Sequence, residues 1–274
     1  MLNAYADVTT FKSAEYADIT ANTEQVRFRE LLEQASRHMD KQCHRRFYCW
    51  EGVKYYDGKG GNLLVDDFLS IVTLKLDEDG DGVYEATMAA TDYLIYPANQ
   101  YPKERLELSN ESDYGGFASG VRLGVEITGV HGYGDGESAT PYYTSSQTVQ
   151  DNPLTAGAIN LTVTSTASLG AGMTLRIELE QLYIESITNA TTCVVVRGVN
   201  GTTDAAHVLN TPISIYEAPQ PVIQATLVLA MRAWKRKDSA FQDVVGSPDT
   251  GLVVVYKDQD PYVKSVIHDY FRYL

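Results

Sequence analysis

Asp77, Asp79 and Asp81 set carboxylates at alternate positions, Gly82 stands sixth counting from Asp77, and Glu85 follows. Oxygen ligands at alternate positions with a glycine at the sixth can wrap a hard cation such as calcium. A helix-loop-helix calcium site also needs a bidentate glutamate at the twelfth position. Here that position is Met88, and the flanks read as strands. The segment therefore reads first as an acidic hairpin turn, with Asp77, Asp79, Asp81 and Glu85 as candidate calcium ligands.

Gly132-Tyr133-Gly134-Asp135-Gly136 follows a strand-like run, as a phosphate-binding loop would, but leads into Glu137-Ser138-Ala139-Thr140-Pro141. No helix N-terminus is then available to receive a phosphate. The histidines, His38, His44, His131, His207 and His268, are scattered, with no H-E-x-x-H pair and no G-x-S-x-G. Cys43, Cys49 and Cys193 are too few and too irregular for a disulfide framework. Cys43 and Cys49 lie near His38 and His44, but at no common zinc spacing. Neither enzymatic activity nor a cofactor is expected.

The formal charge of −14 is unevenly spread. Residues 1–50 hold seven acidic and seven basic side chains, and residues 217–274 again hold seven of each. Residues 51–141 hold seventeen acidic and six basic ones, a net −11. This balance argues against tight nucleic-acid binding, in which Lys and Arg neutralise phosphates. No run approaches the ~18 apolar residues of a membrane helix, since the most apolar stretch, 225–233, contains Arg232. The N-terminus has neither the basic start nor the apolar stretch of a signal peptide, so a soluble protein made in the cytoplasm is expected.

Elements that would position these residues are legible. Residues 22–47 carry Phe28, Leu31, Leu32, Ala35, Met39 and Cys43 at helical spacing, with Asn22 as expected N-cap and Arg45 and Arg46 in the expected last turn. A shorter helix begun by Thr9 or Thr10 precedes it. From Val53 to Tyr133, short β runs alternate with turn residues: 53–56, 63–65, 71–76, 93–96, 106–108 and 121–130. After the polar stretch 144–152, a second β segment has runs at 159–164, 174–187, 194–197 and 213–216. Pro221 fits the first turn of a helix with Val222, Ala225, Leu229 and Ala233 on one face, and Asp260-Pro261 opens a last helix. Between them, 239–259 reads as a loop with an extended run at 252–256. The expected fold is α+β: a helical layer from both chain ends, an antiparallel sheet, and an inserted all-β domain. The core would be residues 1–141 and 217–274. Residues 142–216 would be an insertion replaceable by a short linker without loss of the rest.

The run Leu31-Leu32-Glu33-Gln34-Ala35-Ser36-Arg37-His38-Met39-Asp40, continuing to Cys43-His44-Arg45-Arg46-Phe47-Tyr48, resembles the first long helix of head-to-tail connector (adaptor) proteins of long-tailed bacteriophages. Leu74 to Gly82, Asp92-Tyr93-Leu94, Val130 to Gly134, Pro221 to Ala225 and Trp234 to Asp238 follow in that family's order. Ala158 to Tyr216, especially Val196 to Thr203 with Arg197, Gly198 and Gly201, and Ala205-Ala206-His207, is similar to a small β module recurring in phage structural proteins. The family's simpler members lack this insertion.

The resemblance implies a virion neck protein, one subunit of a dodecameric ring below the portal. It would bind the portal protein and a stopper or tail-completion protein, and let double-stranded DNA pass during ejection without specific binding. Carboxylates suit such a lumen, because a channel of Lys and Arg would hold the phosphates. The chain itself could instead be the stopper or tail-completion component. A calcium- or carbohydrate-binding β module would rest on the acidic turn alone, and a hydrolase has no motif behind it. For portal docking, the C-terminal residues themselves are the candidates: Leu252, Val253, Val254, Val255 and Tyr256 as a strand-like run able to add to a sheet edge, and the aromatic and apolar Tyr270, Phe271, Tyr273 and Leu274 at the last helix.

Overall fold

Helical spacing after residue 24 produces helix α2, Gln25–Cys43, which buries Phe28, Leu32, Ala35, Met39 and Cys43 along one face. It belongs to a computed structural model describing residues 2–13, 16–17, 24–236, 244–247, 252–255 and 260–273. The helix stops where His44 turns left-handed, φ 54°, and returns its N–H to the Asp40 carbonyl. Arg45 and Arg46 therefore lie beyond the helix, and Lys41 is the basic residue of its last turn. The expected cap Asn22 lies outside the described residues. Helix α1, Val8–Lys12, is started by Asp7 rather than by a threonine. The Asp7 carboxylate accepts from the Thr9 and Thr10 N–H groups at 2.8 and 3.0 Å.

The first sheet contains β1 (Trp50–Tyr56), β2 (Asn62–Leu76), β3 (Ala86–Met88), β4 (Tyr93–Tyr96), β5 (Lys103–Leu108) and β6 (Val125–His131). Its order is β1-β6-β2-β5-β4, with β3 paired to β2. The runs expected as two strands at 63–65 and 71–76 are one strand, β2. Register shifts around Phe68 let its first half pair with β5 and its second with β6. Close passage of β2 and β6 requires Gly129, because a Cβ there would lie 2.1 Å from the Ser70 carbonyl oxygen. Leu63, Val65, Phe68, Leu74, Leu76, Leu106, Phe117, Val125 and Ile127 fill the core under this sheet.

The second sheet contains β7 (Tyr142–Thr148), β8 (Asn160–Thr162), β9 (Thr174–Ile177), β10 (Glu180–Ile187), β11 (Thr192–Val196) and β12 (Pro212–Tyr216), in the order β7-β12-β9-β10-β11-β8. The polar stretch expected to link the two β segments thus supplies strand β7, and the run 174–187 breaks at Glu178-Leu179 into two strands. Helix α3, Gln220–Lys235, has Pro219 as its N-cap, so Pro221 is the second helical residue. The expected loop after it holds a hairpin, β13 (Val244–Ser247) paired antiparallel with β14 (Leu252–Val255). Helix α4, Pro261–Tyr270, is capped by Asp260 through the Tyr262 N–H at 2.9 Å. Phe271 is already extended, so the helix ends at Tyr270, and Phe271 and Tyr273, expected at the last helix, lie beyond it.

The class is α+β, and the strand pairings described are antiparallel. The compact units divide differently from the expected domains. Residues 1–44, 143–199 and 203–274 form one unit, and residues 45–142 with 200–202 form the other. Helices and second sheet share the first unit because they share apolar surface. Ala171, from the loop before β9, lies in the same buried cluster as Phe11, Phe28, Leu32 and Leu227, and its carbonyl accepts from Val8 N–H at 2.9 Å. Among the described residues no helix is long and apolar enough to cross a membrane.

Candidate functional site

At the end of β2 the acidic turn is wound around Asp77, the only buried member of its carboxylate group. The Asp77 N–H donates to the Gly124 carbonyl at 2.9 Å, and its carboxylate accepts from Gly80 N–H at 2.7 Å and Gly82 N–H at 2.9 Å. Gly80 and Gly82 adopt φ of 82° and 89°, a conformation that side chains with a Cβ rarely take. Asp79 accepts from Asp81 N–H at 3.2 Å, and Asp81 from Val83 N–H at 2.8 Å. One oxygen from each of Asp77, Asp79, Asp81 and Glu85 lies within 4.8 Å of the others. Such a group has the oxygen chemistry for a hard cation, and a carboxylate oxygen that accepts one N–H keeps a second lone pair. The same amide bonds also close the turn by themselves.

Among the described residues no other group of His, Cys, Asp and Glu is arranged to hold a metal. Cys43, Cys49 and Cys193 are buried thiols. Burial pushes the Cys193 thiol up to about 12, which removes it as a nucleophile near neutral pH. Gly132 and Gly134 have a backbone role instead of a phosphate-binding one. Gly132 N–H donates to the Asp67 carbonyl at 2.8 Å and Gly134 N–H to the Phe47 carbonyl at 2.9 Å, both residues at positive φ.

The expected docking residues divide between strand β14 and the last described residues of the chain. Leu252, Val253, Val254 and Val255 make up β14, whose backbone already pairs with β13 along one edge. Tyr256 and Leu274 lie outside the described residues. Tyr270 and Phe271 are half-buried, and the Phe271 ring sits 5.0 Å from those of His44 and Tyr273. Arg272 N–H donates to the Cys43 carbonyl at 3.0 Å, so this segment closes the end of α2. Tyr273 alone among the three aromatics is open, at 78% exposure.

Sequence reasoning assigned no role to a buried polar node in the second sheet. Arg197 grips Glu180 with two bonds of 2.7 Å, and Glu180 also accepts from the N–H groups of Gly198 and Ala205. Both His207 ring nitrogens lie 2.8 Å from carboxylates, Nδ1 from Glu178 and Nε2 from Glu180. Arg197 reaches further to Asp204 at 2.8 Å and to the carbonyls of Thr155, Ala158 and Ala205. Burial raises the Glu180 carboxyl, but the bonds from Arg197, His207, Ala205 and Gly198 outweigh it and hold Glu180 below the usual carboxylate range. With both nitrogens engaged and its ring buried, His207 ties the loop carrying it to β10 instead of facing a substrate. The Arg197-Gly198 and His207 signals were visible in sequence, but their partner Glu180 was not.

No protein-family model matches the chain, and none of the curated proteins matches it significantly.

Proposed function

We propose that this chain is a structural, non-enzymatic head-to-tail adaptor of a tailed bacteriophage, one subunit of a ring between the portal and the neck proteins leading to the tail. The observation that carries the reading is the ordered resemblance, whose segments fall in sequence on α2, the turn after β2, the start of β4, the end of β6 and α3. The acidic middle of the chain supports it as well, because carboxylates facing a lumen keep a DNA duplex off the wall. The ring is a dodecamer of this chain, it needs no cofactor, and DNA passes through without specific contacts. A stopper or tail-completion protein lies below it. Immuno-electron microscopy of virions with antibody against the chain tests the assignment. Label at the head-tail junction is the expected result; label on the head shell or tail tip, or on no particle, overturns it.

The four carboxylates around the turn favour one second reading, a calcium-binding β-rich module. The two readings differ in whether calcium alters stability.

A further inference from the structure

Apart from the acidic turn and the buried node, a cavity of about 300 Å³ opens among the N-terminal residues, the end of β12 and the start of α3, all within one compact unit. Its buried lining mixes the apolar Ala6, Ile215 and Leu227 with the polar Asp7 and Thr174. Its more exposed lining includes Tyr143, Tyr216 and Glu217, and Asp7 contributes a second carboxylate. Asp7 accepts from the Thr9 and Thr10 N–H groups and the Thr10 hydroxyl, and Glu217 accepts from the Gln220 amide at 2.6 Å. Neither carboxylate has a Lys, Arg or His partner among the described residues, unlike Glu33, Asp40, Glu180 and Glu185 in the same unit.

Both negative charges act on one point. The Tyr143 hydroxyl is pushed up first by burial and then by Glu217 and Asp7. Two carboxylates without a cationic partner, two tyrosine rings and a partly apolar lining together match a long aliphatic stem ending in a cation. A guanidinium or ammonium there gains carboxylate attraction and contact with the tyrosine rings, while its methylenes lie along the apolar part of the lining.

We propose that this cavity receives a lysine or arginine side chain presented by another protein. The occupant is assigned to a basic partner because the cavity's carboxylates and the chain's net charge of −14 both attract a protein of opposite charge. The inference stands apart from the ring assignment, since a basic side chain can dock here whether or not the chain belongs to a virion.

Titrating isotope-labelled full-length protein with N-acetyl-arginine amide, and separately with N-acetyl-norleucine amide, tests it by amide chemical shift. The arginine probe should give saturable shifts at Gly172 to Thr174 and Ile215 to Ala218, and the norleucine probe none. Glu217→Gln, at a half-buried site that supports no core, should weaken the arginine probe about tenfold. Tyr143→Phe, which keeps the ring face, should weaken it less than Tyr143→Leu. Absence of saturable shifts, equal shifts from both probes, or unchanged affinity in Glu217→Gln overturns the proposal. If sedimentation shows self-association of the wild type that Glu217→Gln abolishes, the occupant is a second copy and the partner assignment fails.

Discussion

The Tyr183 hydroxyl donates to Glu33 Oε1 at 2.5 Å, joining strand β10 to helix α2 across 150 residues of sequence. Tyr183 is fully buried, and burial together with the Glu33 carboxylate raises its hydroxyl far above the ordinary tyrosine range, so it stays a proton donor. Arg29 sits 3.5 Å from Glu33 and donates to the Glu185 carbonyl at 2.9 Å, which adds a second tie between the same elements. Tyr183→Phe should keep the ring packing and lose the bond to a charged acceptor, destabilising the protein by about 1.5–3 kcal/mol. Urea denaturation followed by circular dichroism measures this, and an unchanged midpoint counts against it.

Excision of residues 142–216 is a stronger test of the same relationship. A linker in their place removes Ala171 from the helical cluster and strips α2 of Tyr183 and Glu185, so the helices should lose cooperative unfolding. A truncated protein that retains a sharp helical transition would restore the simple insertion expected from sequence.

The buried node predicts an acid-sensitive module. Because the folded Glu180 carboxyl is held low, its contribution is fully present above the unfolded value near pH 4.3 and is lost as pH falls through the folded one. Glu180→Gln leaves Arg197 and His207 facing a neutral amide and should cost about 3–5 kcal/mol near neutral pH, with a flatter acid limb between pH 5 and pH 3. Parallel denaturation series across that range give the comparison.

His131 predicts a separate slope in the other unit. Burial first, then the nearby Lys54 charge, lowers the imidazole from 6.5 to about 4. The unfolded chain therefore takes up a proton below pH 6.5 that the folded chain refuses until about pH 4, so stability falls as pH drops through that window, by about 3 kcal/mol at most. His131→Gln should remove this slope. An imidazole proton resonance titrating near pH 6.5 in the folded protein would refute the assignment.

For the acidic turn the expected outcome is local structure without a required ion. Asp77→Ala removes the acceptor of two amides and should destabilise by about 1–3 kcal/mol, whereas Asp79→Asn and Asp81→Asn should stay within about 0.5 kcal/mol. A chelator should leave the melting temperature unchanged. A calcium-dependent rise in melting temperature that disappears in Asp81→Asn would favour the calcium-binding reading.

At the C-terminus, Tyr273→Ala is the informative variant for portal docking. Tyr273 is exposed, so the substitution should leave stability unchanged while reducing attachment to portal-bearing heads in a pelleting assay. Removing residues 271–274 also strips the cap from Cys43 and should lower stability, which confounds any binding defect. Undiminished attachment of Tyr273→Ala moves the docking surface elsewhere.

What the sequence alone determined is what neighbouring residues decide. The apolar spacing of Phe28, Leu32, Ala35 and Met39 specifies a helical face, Asp260-Pro261 a helix start, and glycines 80 and 82 a tight turn, because each depends on backbone preferences within a few residues. Asp66-Asp67 breaks the apolar alternation, so β2 read as two strands; register shifts and pairing with both β5 and β6 carry it through. Only the tertiary structure decided which sheet the helices pack against, where Glu180 finds Arg197 and His207, and which carboxylates share a cavity. These are choices among distant partners, and no local pattern encodes them. They follow from the burial that the whole unit achieves at once, as when Ala171 and Tyr183 meet a helix far away in sequence.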